Sequence, residues 1–169
     1  MLYFSQNYDI VLLVNNMKVY HLTKKENLYS ENGIIKQGLL PQCGNRAKMI
    51  KDNRVGIFFT NNFNTLPIWT NYLYPYAKFD DLCVLTFDIE KKDCIPTENR
   101  TEFYTTNQIV PEKISVATFF NQKTHEEIPF YLLGAQAYND YGWGEKPEPI
   151  SVHVIREPIT NLINYNKHK

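Results

Sequence analysis

Short hydrophobic runs separated by polar stretches cover most of this chain, and this pattern is typical of β-strands. The clearest run is LCVLTFDI at residues 82–89. Strands are predicted at residues 9–14, 17–21, 55–60, 82–89, 102–106, 114–119 and 151–155. Many short strands with few helices predict an α+β fold with a mostly antiparallel or mixed sheet, rather than a doubly wound βαβ fold.

One helical pattern follows the second predicted strand. Thr23-Lys24-Lys25-Glu26 has the form of a capping box, in which Thr23 is the N-cap and Glu26 reaches back to the backbone. Apolar residues then recur at helical spacing as far as Leu39, and Gly38 is a stop signal. Gly33 lies inside the predicted helix and weakens it by about 1 kcal/mol relative to alanine. A second short helix or an irregular segment is expected at residues 69–76.

Length and composition predict one folded domain over residues 1–169. The chain has 18 basic and 18 acidic side chains, a hydrophobic content of 43% and an aromatic content of 14%. These values exclude a disordered chain, a strongly basic nucleic-acid coat and a polybasic membrane binder. No apolar run approaches the roughly 18 residues of a membrane span, and the N-terminal run lacks the basic leader of a signal peptide. Cys43, Cys83 and Cys94 are odd in number and widely spaced, so we expect reduced thiols in the cytoplasm.

Metal-binding and phosphate-binding motifs are absent from the sequence. The histidines are scattered, the cysteines lack C-x-x-C spacing, and no Walker-type loop or G-x-G-x-x-G fingerprint occurs. Cys43 lies near Arg46 and is a candidate nucleophile, but a chance thiol is the better interpretation.

Four separate segments carry the informative chemistry. They are Tyr20-His21-Leu22-Thr23, Gly56-Ile57-Phe58-Phe59-Thr60, Asn71-Tyr72 and Thr101-Glu102-Phe103-Tyr104, the last followed by Gln108. Each also has a structural interpretation: Thr23 as an N-cap, Phe58 or Phe59 as core, and Glu102 as a solvated charge on a strand edge.

In their order and residue types these segments resemble the ADP-ribosyltransferase superfamily, in its His–aromatic–Glu branch of poly(ADP-ribose) polymerases and diphtheria-like toxins. The stretch from His21 to Pro41 is similar to the DNA-modifying DarT toxins. The resemblance covers residues 19–118 and implies a split mixed or antiparallel sheet. Phe58 replaces the usual first tyrosine, which keeps the stacking face and loses the hydroxyl. Leu22 replaces the polymerases' glycine, so single transfer is expected rather than polymer formation.

The resemblance implies a mono-ADP-ribosyltransferase that uses NAD as co-substrate. Glu102 would hydrogen-bond the nicotinamide ribose and stabilise the oxocarbenium-like cation that forms when nicotinamide leaves. Tyr72 and Phe58 would stack on the nicotinamide ring. The catalytic residues would be Glu102, Tyr72 and His21, of which His21 would hydrogen-bond the adenosine ribose.

Further NAD contacts are implied around these residues. Leu22 would act through its backbone, and Thr23 would either assist His21 or cap the helix. Arg46 or Arg54 would pair with the pyrophosphate or with a nucleic-acid phosphate. The acceptor, a protein or a nucleic acid, is expected to contact residues 91–101 and a C-terminal extension at residues 119–169. A composition rich in Asn, Lys, Ile and Tyr suits an AT-rich bacterial or phage genome, hence a toxin or phage effector with a cognate antitoxin as partner.

Three alternatives stay open at this point. A tRNA 2′-phosphotransferase of the same superfamily also uses NAD but relies on arginines, so Glu102 counts against it. A 2H phosphodiesterase needs two H-x-T/S motifs, and His153-Val154-Ile155 lacks the hydroxyl. A non-catalytic module could bind ADP-ribose, nucleic acid or protein through the aromatic residues 69–76.

Overall fold

The computed structural model describes residues 15–43, 53–133 and 150–168. The strand predicted at residues 9–14, and Arg46, lie outside these ranges. No helix within the described ranges is long and apolar enough to cross a membrane.

The described residues form a seven-stranded sheet with few helices, which confirms the α+β fold class. Every strand pairing in it is antiparallel. The strand order is β4-β5-β2-β1-β3-β6-β7. The strands are β1 (Asn16–Lys24), β2 (Ile57–Thr60), β3 (Leu82–Glu90), β4 (Ile95–Pro96), β5 (Glu102–Thr105), β6 (Ser115–Asn121) and β7 (Val152–Pro158).

The centre of the sheet is the long pair β1 and β3. They are in register from Asn16↔Glu90 to Lys24↔Leu82. Every residue of β3 from Leu82 to Phe87 is buried, because both faces of the sheet are covered here. This explains why β3 reads as a continuous apolar run instead of an alternating one.

Two hydrophobic clusters cover the two faces of the sheet. We call face A the side that carries Val19, Phe59 and Leu85, and face B the side that carries Tyr20, Leu22 and Val84. Successive side chains of a strand point to opposite faces, so neighbours such as Val19 and Tyr20 belong to different clusters.

Each face is covered by different helices. On face A lie two one-turn helices, α1 (Glu26–Tyr29) and α2 (Ile34–Gln37), which contribute Leu28 and Ile35 to the cluster. On face B lies α3 (Leu66–Leu73), which buries Leu66 and Trp69. Residues 69–76, for which a short helix or an irregular segment was expected, therefore contain the end of α3.

The predicted capping box and continuous helix are wrong. Thr23 belongs to β1, Lys25 precedes α1, and α1 has no side-chain cap. Gly33 is extended backbone between α1 and α2, where a Cβ atom would lie 2.5 Å from a carbonyl oxygen of α1, so the chain turns here instead of continuing as a helix. The stop at Gly38 is confirmed, since this glycine ends α2 with a φ of 75°.

Candidate functional site

Three of the four motif segments lie on adjacent strands. The pairs Tyr20↔Thr60 and Thr60↔Glu102 form one row across β1, β2 and β5. Residues directly opposite in antiparallel strands share a face, so Glu102 projects from face B together with Tyr20. Segments far apart in the sequence thus meet in one part of the sheet.

The junction between β1 and β2 is much looser than that between β1 and β3. Within these described strands, β1 and β2 are in register at the single pair Tyr20↔Thr60. His21, the residue after Tyr20, spans the junction with its ring, and its Nδ1 lies 2.7 Å from the carbonyl oxygen of Phe58, two residues before Thr60. A side chain therefore helps to hold together two strands whose backbones have begun to separate.

This hydrogen bond determines which nitrogen of His21 carries a proton. A carbonyl oxygen can only accept, so Nδ1 must donate. Burial lowers the pKa of His21, and the bond to Phe58 opposes this shift without cancelling it. The neutral ring is therefore favoured near pH 7, and its Nε2 is a hydrogen-bond acceptor.

The two residues after His21 are structural. Leu22 is 2% exposed and packs in the cluster of face B, so only its backbone could contact a ligand. Thr23 is 4% exposed, and its hydroxyl accepts a hydrogen bond of 3.0 Å from Asn27 Nδ2. Thr23 is also hydrogen-bonded to Tyr74. Burial raises the pKa of Tyr74, and the bond to Thr23 opposes this shift without cancelling it. Thr23 therefore ties β1 to α1 and to the chain after α3.

Phe58 belongs to an aromatic and cationic cluster on face B. Its ring stacks on Tyr104, directly opposite on β5, with 5.2 Å between the ring centroids and 22° between the planes. The guanidinium carbon of Arg54 lies 5.5 Å from the centroid of Phe58 and 5.7 Å from that of Tyr104. Arg54 also pairs with Glu98 at 3.5 Å. Phe59, by contrast, is fully buried in face A.

Gly56 makes room for this cluster. A Cβ atom at this position would lie 2.7 Å from Cδ2 of Tyr104, closer than carbon atoms approach. The glycine that precedes the Ile-Phe-Phe run therefore lets the tyrosine ring lie against the start of β2. This is a packing role, and it does not require an unusual backbone conformation.

The structure brings some predicted site residues together and separates others. Glu102 and Phe58 share face B, and Tyr72 lies on α3, which packs on that face, with 46% of its surface exposed. His21 projects from face A, because it neighbours Tyr20 and lies opposite Leu85. His21 and Glu102 therefore do not meet on one face.

The remaining candidates lie away from this region. His153 is on β7, three strands from β1 and so about 14 Å away across the sheet. Two histidines so far apart cannot act on one phosphate, which counts against a 2H phosphodiesterase. Gln108 donates a 2.7 Å hydrogen bond to the carbonyl of Gln37 and thereby fastens the chain to α2.

Sequence reasoning assigned no role to two tyrosines near the candidate residues. Tyr104 completes the stack with Phe58, and Tyr74 bonds the hydroxyl of the H-x-T segment. The alternation of residues along the predicted fifth strand places Tyr104 on the same face as Glu102, and this was the available signal. No signal for Tyr74 existed, because its contact depends on where α3 ends.

Comparison of the chain with protein-family models, with curated proteins and with solved structures gave no match. The sheet, the junction between β1 and β2, and the chemistry of their side chains are therefore the basis for a functional conclusion.

Proposed function

We propose that the protein is an NAD-dependent mono-ADP-ribosyltransferase, which cleaves the nicotinamide–ribose bond and transfers ADP-ribose to a macromolecule. The observation that carries the proposal is the convergence of the H-x-T, Gly-Ile-Phe-Phe and Glu-Phe-Tyr segments on the adjacent strands β1, β2 and β5. An antiparallel sheet whose central strands separate after one pair also suits the split sheet of an ADP-ribosyltransferase.

Face B suits the nicotinamide end of NAD. Phe58 offers an aromatic ring, Glu102 offers a carboxylate one strand away, and Tyr72 lies on the helix that covers this face. Stacking on an aromatic ring contributes about 0.5–1.5 kcal/mol beyond the buried area. In the proposed site, Glu102 accepts a hydrogen bond from the 2′-hydroxyl of the nicotinamide ribose.

In the proposed reaction, cleavage of the nicotinamide–ribose bond depends mainly on the carboxylate of Glu102. The bond between the ribose C1′ and the ring nitrogen breaks, and its electron pair leaves with nicotinamide, which becomes neutral. The ribose is left as an oxocarbenium-like cation, and the negative charge of Glu102 stabilises it. A nucleophilic atom of the acceptor then bonds to C1′ and loses its proton to solvent or to a base.

His21 has two roles in this proposal. Its Nδ1 donates to Phe58 and so positions the strand that carries the stacking ring. Its Nε2, an acceptor in the neutral ring, takes a hydrogen bond from a hydroxyl of the adenosine ribose. Glu102 and His21 project from opposite faces of the sheet, and NAD carries two riboses joined by a pyrophosphate, so the proposal assigns the two residues to different riboses.

The acceptor, a protein or a nucleic acid, and a role as a cytoplasmic toxin or phage effector with an antitoxin partner belong to the same proposal. They draw on the resemblance of the motif segments alone. A module that binds ADP-ribose without turnover would use the same aromatic residues and is the alternative to be separated by experiment.

The test uses purified protein, NAD labelled in its adenine ring, and separate protein and nucleic-acid fractions of a bacterial lysate. We expect free nicotinamide and label covalently bound to one fraction, and we expect the Glu102→Gln variant to yield neither. A matched control is Glu112→Gln, which removes an exposed carboxylate in the turn Pro111–Lys113. Label that binds but is released intact on denaturation would instead identify a binding module.

A further inference from the structure

The two edges of the sheet differ in their capacity to pair with another strand. At one edge, β4 has only two residues, one of them Pro96, and short strands that contain proline are a common protection against edge-to-edge pairing. At the other edge, β7 has seven residues and pairs with β6 along its whole length. Within residues 15–43, 53–133 and 150–168, no strand pairs with the outer side of β7. In this part of the chain β7 is therefore a long, open edge.

The hydrogen bonds to β6 show which backbone groups of β7 point outward. The carbonyl of Ser151 accepts a 2.8 Å hydrogen bond from the residue directly after β6, and the N–H of Ile159 donates one of 3.0 Å to the residue directly before β6. The pairing between these two points is continuous, so every second residue from Ser151 to Ile159 bonds β6 and the residues between them point their backbone groups outward. The outward residues are Val152, Val154, Arg156 and Pro158, the last of which lacks an N–H.

The charge of Arg156 is used inside the sheet. Arg156 lies opposite Ala117 on β6, and its Nη2 lies 3.2 Å from a carboxylate oxygen of Asp88 and 3.2 Å from the hydroxyl oxygen of Thr86, both on β3. The side chain thus reaches over the small alanine toward the middle of the sheet. Charged side chains on an edge strand ordinarily discourage pairing, but this one leads away from the edge.

The exposed side chains of β7 are complementary to a second copy of the same strand. His153, Ile155 and Glu157 are all exposed, Ile155 to 49%, and they lie on face A, because Val154 between them packs on face B. When two copies of β7 run antiparallel with Ile155 facing the partner's Ile155, His153 faces the partner's Glu157. The apolar side chains then pair at the centre, and on either side a carboxylate accepts a hydrogen bond from a histidine ring.

The backbone fits the same register. With Ile155 opposite itself, Val154 lies opposite the partner's Arg156, and the outward N–H and C=O groups of both residues can exchange hydrogen bonds. At each end the carbonyl of Pro158 lies opposite the N–H of the partner's Val152, so the missing N–H of the proline falls at the margin of the pairing. Ile155 forms the non-hydrogen-bonded pair, in which facing side chains approach most closely.

We propose that the protein forms a homodimer in which the outer sides of two β7 strands pair antiparallel about a two-fold axis at Ile155. Each copy contributes the same strand, which is the self-complementary interface that two-fold symmetry requires. The two seven-stranded sheets then form one continuous sheet. β7 lies at the far end of the sheet from β2 and β5 and carries none of the residues of the proposed NAD site, so the dimer does not depend on the transferase activity.

The first test measures self-association by analytical ultracentrifugation over a series of protein concentrations. The variants Ile155→Lys and Ile155→Glu each place two like charges opposite each other at the two-fold axis. The control Ile95→Lys adds the same charge at an exposed residue of β4, on the other edge. A urea unfolding curve for each variant shows that it is folded.

We expect the average mass of the wild type and of Ile95→Lys to rise from that of one chain toward that of two as the concentration increases. Ile155→Lys and Ile155→Glu should each dimerise at least about ten-fold more weakly, since like charges directly opposite each other repel and the apolar contact is lost. An equimolar mixture of these two variants should associate again, because the facing side chains then carry opposite charges. A general loss of folding would not be reversed by mixing.

A disulfide cross-link tests the register. In the proposed pairing the two Cα atoms of Ile155 lie about 4.5 Å apart, within the range that a disulfide spans. With oxidised glutathione as oxidant, Ile155→Cys should form a covalent dimer on a non-reducing gel. His153→Cys should not, because the two copies of that residue lie about 13 Å apart along the strands. The wild type, with Cys43, Cys83 and Cys94, is oxidised in parallel as the background.

Two results would overturn the proposal. One is a wild type that stays monomeric up to its solubility limit, which would leave the edge to a strand of a different protein. The other is a dimer that forms equally well in the wild type, Ile155→Lys and Ile155→Glu, which would place the interface elsewhere. A cross-link through His153→Cys but not through Ile155→Cys would contradict the register.

Discussion

Replacing His21 with asparagine should change how the stability of the protein depends on pH. The Nδ2 group of asparagine can donate to the Phe58 carbonyl as Nδ1 of His21 does, but asparagine does not titrate. His21→Ala removes the donor altogether. An unpaired buried acceptor costs about 1–3 kcal/mol, so His21→Ala should lose about this much near pH 7 and His21→Asn less.

The pH dependence follows from the lowered pKa of His21. In the unfolded chain this histidine has its ordinary pKa of 6.5, whereas burial lowers the pKa in the folded protein. Between the two pKa values the unfolded state binds more protons, so the free energy of unfolding falls as the pH falls. For one proton, the slope approaches about 1.4 kcal/mol per pH unit. Well above pH 6.5 both states are neutral and the effect of His21 is constant.

The assay is urea unfolding, followed by tryptophan fluorescence, at a series of pH values from about 7.5 to about 5. The wild type should lose stability relative to His21→Asn as the pH falls below 6.5. The other histidines are common to both proteins, so the difference between the two curves reports on His21. A difference that stays constant over the whole range would refute a partly buried, neutral His21.

Three further results are expected. Gly38→Ala should lower the free energy of unfolding by more than the roughly 1–2 kcal/mol of a left-handed residue, because the added Cβ would also lie 2.0 Å from a carbonyl oxygen. The control Lys36→Ala should unfold at nearly the same urea concentration as the wild type. Equal urea midpoints for Gly38→Ala and the wild type would contradict the close approach at Gly38. Thr23→Val should lower the free energy of unfolding by about 1–2 kcal/mol through loss of the bond from Asn27, and Thr23→Ser should recover most of this loss. Equal losses in Thr23→Val and Thr23→Ser would show that the hydroxyl does not contribute. Burial raises the pKa of Cys83 to about 12, so mass spectrometry should find this thiol alkylated by iodoacetamide only after denaturation; rapid alkylation in the folded protein would show that it is accessible.

The strands were predictable because hydrophobic patterning determines which segments can be buried. β3 is the clearest case, with a continuous apolar run buried on both faces. β4 was missed, since two residues that include Pro96 make no pattern and pair only at the sheet edge. The predicted continuous helix was wrong because Gly33 lies too close to the preceding turn to continue it, a constraint that no spacing of apolar residues reveals.

The sequence indicates candidate residues for the site but not their geometry. Sequence order indicated His21, Phe58 and Glu102. Their faces depend on the register Tyr20↔Thr60↔Glu102, which is set by packing between distant segments. The contact of Arg54 with the rings depends on the path of the chain before β2, and residue spacing carries no information about that path.

We propose that the carboxylate of Glu102 promotes cleavage of NAD. Its most direct test is the rate of nicotinamide release from NAD by purified wild type, Glu102→Gln and Glu112→Gln, with each variant shown by its urea unfolding curve to be folded. We expect release by the wild type and by Glu112→Gln, and a loss of at least about a hundred-fold in Glu102→Gln, the scale of one stabilising group at a developing charge. Release that is unaffected by Glu102→Gln would contradict it.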